Sequence, residues 1–289
     1  MPLSLPFLRP TPESLVRKLT DLPPAPKVLH TLQRLLAEPD VMLEQVAEVV
    51  KLEPGLSAKV VRIANSTQFG RGASVDNIVE AIQRVGMNGV QELVTYAVAS
   101  QLVGRPLAMY RLNAQDLWSR AVACAIAASS LAERSDLNRN DAYTAGLMHG
   151  LGLVVIDKHA SKQWPARAKP FVTVGYPLDF AAEEREWLGF SHAEAGAALL
   201  QLWGFSEAVV TAVKHQLEPE AADAHRPLCM TLATARWARS LFCVPEELVP
   251  EIPAETWLEE AGVEIRDFSD WLRKVRLRYT IACAELRLG

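Results

Sequence analysis

An all-α fold, a multi-helix bundle, is what the sequence predicts, and three observations carry it. Helix start and stop signals recur along the whole 289-residue chain. No stretch shows the apolar–polar alternation of a half-buried strand. Apolar residues make up 49% of the chain, much of it Ala, Leu and Val, while aromatics reach only 7%, a mix that favours packed helices over sheets.

Composition narrows the function classes. The net charge is −4 with both signs interspersed, so nothing global argues for nucleic acid or an anionic membrane as partner. A local basic stretch near the C-terminus carries Arg266, Arg273, Lys274, Arg276, Arg278 and Arg287, offset by Asp267, Asp270 and Glu285. It reads as a solvated helix face. Cys124, Cys229, Cys243 and Cys283 form no CxxC pair and sit in apolar helical runs, as small core residues of a reducing compartment do. The first residues, MPLSLPFLRPTPES, lack a signal-peptide pattern. The longest weakly polar run, 121–132, is too short to span a bilayer. A cytoplasmic protein is expected.

The helices can be read off in order. Thr11 caps a first helix, with Pro12 at its first position and Glu13 at the positive end of its dipole. The segment LPPAP, 22–26, is a rigid break, after which Leu29, Leu32, Leu35 and Leu36 share a helix face up to Pro39-Asp40. Residues 43–52 form a short helix, and Pro54 opens the next, ending near Asn65. After a loop at 69–73, Ser74 or Asp76 caps a helix that stops at Gly86, and 88–103 follows.

Longer helices come next. Asn113 caps 114–134, and Asn140 caps 141–158, which is apolar nearly all round and so central. A helix is expected at 178–188. Ser191 and Glu194 make a capping box ahead of AGAALLQLW, which Gly204 terminates. Ser206 caps the helix that runs to about Gln216. Residues 226–289 give two or three helices around a proline-rich break at 245–253, with Trp271, Leu272, Val275 and Leu277 as an apolar face on the core.

Six histidines are present, but HExxH, a Walker loop, GxGxxG and GxSxG are all missing. His149 lies on the central helix, His192 in a first turn and His215 in a last turn. Three imidazoles from separate helices can meet in a bundle interior and hold a metal. Each also has a structural explanation: the helix dipole favours His215, His192 can bond locally, and His149 can be a satisfied core residue. No carboxylate adjoins His149, because residue 150 is Gly. Arg120 sits at the margin of the face made by Leu117, Ala121, Cys124 and Ala128. Directed inward it needs an anion or a carboxylate; otherwise it snorkels to the surface.

Taken in order, six segments resemble the HDOD domain, a degenerate relative of HD-type metal-dependent phosphohydrolases. They are LPPAPKVLHTLQRLL, LEPGLSAKVVRIANS, VDNIVEAIQRVG, DLWSRAVACA, AYTAGLMHGLGLVVI and FSHAEAGAALLQLWGFSEAVVTAVKHQ. The resemblance implies a multi-helix HD-like bundle with an N-terminal helical lobe. It divides the chain into an N-terminal helix at 1–21, an HDOD domain at 22–216 (lobe 22–105, HD-like core 113–216) and C-terminal helices at 217–289. It also implies bacterial signal transduction, often near cyclic-di-GMP pathways. At the metal site the match is poor. Arg120 stands where the HD pattern has a histidine, the HD dipeptide survives as His149-Gly150, and Gln216 stands where a histidine often follows the position of His215. Asn65 and Ser66 match a family motif, although an Asn at a helix end often only shapes the turn.

The expectation is therefore a non-enzymatic regulatory module with no cofactor. Arg120, His149, Gly150, His192, His215 and Gln216 would form a degenerate pocket that favours anions over divalent metal. The partner would be a signalling protein, or a cyclic dinucleotide or other anion, with no nucleic acid or membrane. The alternatives are a residual phosphohydrolase with His149, His192 and His215 on one metal, and a structural or oligomerisation protein. Gly146 and Gly150 could also mark a close helix approach.

Overall fold

The computed structural model describes residues 10–18, 27–36, 38, 40–52, 54–65, 74–103, 106–163, 180–243 and 255–286. Among the described residues there are fifteen α-helices and two 3₁₀ turns, and β pairing is limited to one bridge between Leu107 and Leu112. The expected breaks at 22–26, 69–73 and 245–253, and Ser66, lie outside the described residues.

Helix α1 (Pro12–Lys18) is capped reciprocally: Ser14 N–H donates to Thr11 Oγ1 at 3.2 Å, and Thr11 N–H to Ser14 Oγ at 2.9 Å. Helices α2 (Lys27–Leu36), α3 (Leu43–Lys51), α4 (Pro54–Ala64), α5 (Ile78–Val85) and α6 (Met87–Val103) pack on one another as an N-terminal lobe. Neither Ser74 nor Asp76 caps α5. Asn77 does, because it holds the extended backbone before the helix and accepts Glu80 N–H at 2.9 Å. Gly86, at φ +83°, ends α5 and turns the chain directly into α6.

The core is built on α7 (Ala114–Ala132), capped by Asn113, which accepts Asp116 N–H at 2.7 Å. The expected single helix at 141–158 is two. Helix α8 (Arg139–Met148) begins two residues early, because Asn138 rather than Asn140 accepts the first amides, those of Asn140 at 2.9 Å and Asp141 at 3.2 Å. The helix then breaks at His149-Gly150, and α9 (Leu151–Gln163) follows. A glycine inside an apolar run is tolerated in a helix or can end it, and the sequence alone does not choose.

Helix α10 (Ala181–Leu188) leads into α11 (His192–Leu202), whose capping box forms: Ser191 N–H and Oγ–H reach Glu194 Oε2 at 2.8 and 3.0 Å. Ser206 caps α12 (Glu207–Lys214). Helices α13 (Arg226–Cys243), α14 (Glu255–Glu260) and α15 (Ile265–Leu286) complete the chain.

Helix α7 packs on α8 and α13; α11 packs on α9 and α12; α12 also meets α8 and α13. Helix α6 joins the lobe to α7, α8 and α9, whereas α1 lies on α9 and α11. The α9–α11 crossing is very close: a Cβ on Gly152 would fall 1.7 Å from His192 O. Gly146 plays the same part between α8 and α7, where a Cβ would fall 2.7 Å from Ala125 Cα. On α15, Trp271 and Val275 are fully buried and Leu272 is half-buried. Leu277, expected on that face, is 61% exposed, because α15 turns it away from α7. The basic residues of α15 are solvent-facing, and several are paired, Arg266 with Glu264, Arg273 and Lys274 with Asp270, and Arg278 with Glu133. No helix among the described residues is long and apolar enough to cross a membrane.

Candidate functional site

The break at His149-Gly150 frees two carbonyls that an unbroken helix would consume. Leu153 N–H turns to Gly150 O at 3.1 Å, so His149 O is open and accepts Gln216 Nε2–H at 3.0 Å. Gly146 O, which would have served residue 150, lies 2.6 Å from His149 Nδ1. A carbonyl can only accept, so Nδ1 carries the proton and Nε2 presents its lone pair. That lone pair accepts from Arg239 Nη1–H at 2.6 Å. Burial, followed by the charges of Arg239 and Arg236, pushes the His149 pKa well below its ordinary value, so the imidazole is neutral.

Both arginines come from α13. Arg236 donates to Gln216 O at 2.5 Å, and Arg239 Nε–H to Arg236 O at 3.2 Å. Gln216 also donates to Val213 O at 3.0 Å, which fixes it at the end of α12. Arg239 is only 4% exposed, yet no carboxylate pairs with it among the described residues. A buried guanidinium without a counter-ion is a strong attractor for an anion.

His192 is held separately. Glu184, with no exposed surface, accepts from His192 Nδ1–H at 2.8 Å, His192 N–H at 2.6 Å and Tyr110 Oη–H at 2.7 Å. Burial alone would raise the Glu184 carboxyl. The His192 charge and these hydrogen bonds outweigh it and hold the carboxyl below its usual range. Tyr110 rides on a 3₁₀ turn (Ala108–Tyr110), which Asp157 of α9 anchors by accepting Met109 N–H at 2.8 Å. The His192 charge is felt at His149, so the two imidazoles share one electrostatic neighbourhood.

The structure thus brings together His149, Gly150 and Gln216, with His192 close by. His215 is half-buried at the C-terminus of α12, and its ring makes no hydrogen bond among the described residues. Arg120 is half-buried on α7; the arginine bonded to His149 is Arg239. Asn65 acts on the backbone, clamping residue 75 through Nδ2–H to Val75 O at 2.7 Å and Oδ1 from Val75 N–H at 2.9 Å. Glu184 and Arg239 escaped the sequence reading. For Arg239 the signal was present: Leu228, Leu232, Ala235 and Arg239 share helical spacing, which places the arginine on a buried face.

These donors do not suit a divalent metal. His149 Nε2 is committed to a cation and position 150 offers no side chain, which leaves His192, whose Nδ1–H is held by Glu184, with Nε2 alone to offer. Among the described residues no three His, Cys, Asp or Glu gather as a metal site. Packing does not demand the glycine at 150, since a Cβ there would meet only the tip of Leu117 at 3.4 Å.

Comparison with known proteins agrees with this architecture. An uncharacterized protein of Treponema pallidum (strain Nichols) is 29% identical over 227 residues, 77% of this chain and 43% of that relative. A candidate signal transduction protein from Marinobacter aquaeolei VT8 superposes with a TM-score of 0.75 at 20% identity, covering 95% of this chain and 64% of its own. The chain therefore spans less than two thirds of either relative. A candidate phosphohydrolase from Shewanella amazonensis SB2B gives 0.66 at 26% identity, with 95% and 98% covered. An HDOD domain protein with unknown function from Geobacter sulfurreducens gives 0.69 at 22%, with 92% and 96% covered. The HDOD domain profile matches residues 22–219, and the chain belongs to the HDOD domain family.

Proposed function

We propose that the chain is a non-catalytic regulatory module of signal transduction that recognises an anionic group, on a nucleotide or a protein partner, in the cleft around His149. The observation that supports this most is Arg239, buried against His149 Nε2 with no carboxylate beside it. In a catalytic HD-type site that nitrogen would face a divalent cation. Here a fixed positive charge stands there, and Arg236 adds a second to the same field. A phosphate or carboxylate would neutralise Arg239, and planar guanidinium forks suit such groups. Membership of the signalling-related HDOD family fits the regulatory role.

Thermal shift of the wild type and Arg239→Met with inorganic phosphate and with cyclic dinucleotides tests the anion site. A shift in the wild type that Arg239→Met loses is the expected result. If every phosphate compound leaves the melting temperature unchanged, and Arg239→Met changes no capture of protein partners, the anion site is refuted. Similarity to a candidate phosphohydrolase keeps a residual hydrolase as the competing reading. Stoichiometric Fe, Mn or Zn in protein purified without chelator, with phosphodiesterase activity lost in His149→Ala, would establish that reading instead.

A further inference from the structure

A cavity of about 550 Å³ opens where α6, α7, α8 and α15 meet, and no residue of the His149 network lines it. Its size falls in the range of roughly 300–1,000 Å³ common for small-molecule sites. One wall is a run of ion pairs. Arg139 bridges Glu92 at 2.9 Å and Glu133 at 3.3 Å, and Arg278 meets Glu133 at 2.9 Å. These four charges cancel, so net charge does not select the occupant. Unmade hydrogen bonds do.

The first turn of α6 faces this cavity through Met87, Asn88 and Gly89. Gly86 precedes it and has no side chain to act as a cap. Val90 N–H donates to Gly86 O at 3.0 Å, while the N–H groups of Met87, Asn88 and Gly89 have no acceptor among the described residues. A second group points the same way. Tyr143 lines the cavity, is 8% exposed, and its hydroxyl makes no hydrogen bond among the described residues. That hydroxyl lies within the fields of Glu92 and Arg139, on the polar wall. Arg139 Nε is buried and also lacks an acceptor. Glu133 is engaged by two arginines, and Glu92 Oε1 lies 2.9 Å from Arg139 Nη2 as an ion pair without a hydrogen bond, so the groups left over are this one oxygen and, in greater number, donors. Arg139 Nε and the Tyr143 side chain are buried, and buried donors without acceptors are rare in folded proteins, while the more exposed first turn of α6 adds the positive potential of a helix N-terminus.

We propose that this junction is a second ligand site, for a small acid whose oxyanion head, carboxylate or phosphate, takes the first turn of α6, Tyr143 and Arg139. An apolar body then lies against Leu93, Val122 and Ile126 on the other wall. The occupant touches the N-terminal lobe through α6, the core through α7 and α8, and the C-terminal helix through α15, so it ties three parts of the chain together.

Calorimetry on the full chain tests this with octanoate and octyl phosphate as probes, and with octanol as the body lacking a charged head. Both acids, or one of them, are expected to bind, with octanol weaker by roughly tenfold or more. The tighter acid identifies the head. Tyr143→Phe removes only the hydroxyl and is expected to weaken binding about tenfold. Ala282→Trp fills the cavity from its half-exposed wall and is expected to abolish binding. Arg239→Met, which disables the His149 cleft, is expected to leave it unchanged. Failure of both acids to bind, equal binding of octanol, or wild-type affinity in both Tyr143→Phe and Ala282→Trp would overturn the proposal.

Discussion

His149 is neutral because it is buried and two guanidinium groups face it, and this has a consequence for acid stability. Its folded pKa is depressed well below the ordinary value of about 6.5, so the unfolded chain binds a proton that the folded chain refuses. The contribution of this residue to stability is therefore complete above about pH 6.5 and is lost progressively as pH falls below it. Denaturant titrations between about pH 7 and pH 5 are expected to show stability falling with a slope approaching about 1.4 kcal/mol per pH unit from this one group. His149→Asn removes the titrating ring, and its slope over the same window should be correspondingly flatter. An equal slope in both proteins would show that His149 takes up its proton in the folded state. The His149 side of the pocket was legible as a histidine followed by glycine. Its partner was not, because Arg239 lies 90 residues away in sequence and enters through a helix whose arginines look like surface residues one at a time.

At the scale of elements, the caps were the most legible features. Thr11, Asn113, Ser191 and Ser206 each start the helix their chemistry predicts, since a short polar side chain next to free amides is a local device. The break between α8 and α9 was not legible, because it depends on what surrounds the apolar run. Two glycines beside it now have different meanings. Gly152 sits where α9 and α11 nearly touch, and a methyl there must push against backbone. Gly150 faces a movable Leu117 methyl. Gly152→Ala is expected to cost about 3 kcal/mol of stability and Gly150→Ala less than about 1 kcal/mol, read from chemical denaturation midpoints. Reversal of that order would mean that the close crossing lies elsewhere. The glycine at 150 therefore marks a lost side chain more than a packing need.

For the whole molecule, the all-helical class and the family were readable from an ordered series of modest signals across residues 22–216. The role of the C-terminal helices was harder to read, since their partners lie far away in sequence. Helix α13 packs on α7, α8 and α12, and α15 sets the fully buried Trp271 into the structure. Truncation after residue 225 would uncover those apolar faces along with the cleft. The shortened chain is expected to scatter light and bind a hydrophobic dye such as ANS, whereas the full chain should do neither. A monodisperse, cooperatively unfolding truncation product would show that the remaining helices suffice.

The origin of Arg239 in α13 also bears on how far this unit can be transplanted. The family profile ends at residue 219, and α13 begins at Arg226. A graft cut to the recognised boundaries would inherit the imidazole without the guanidinium that neutral His149 was built to meet. The smallest portable module is longer than its family signature, and the roughly eleven extra helical turns of α13 and α15 are part of what any chimera must carry.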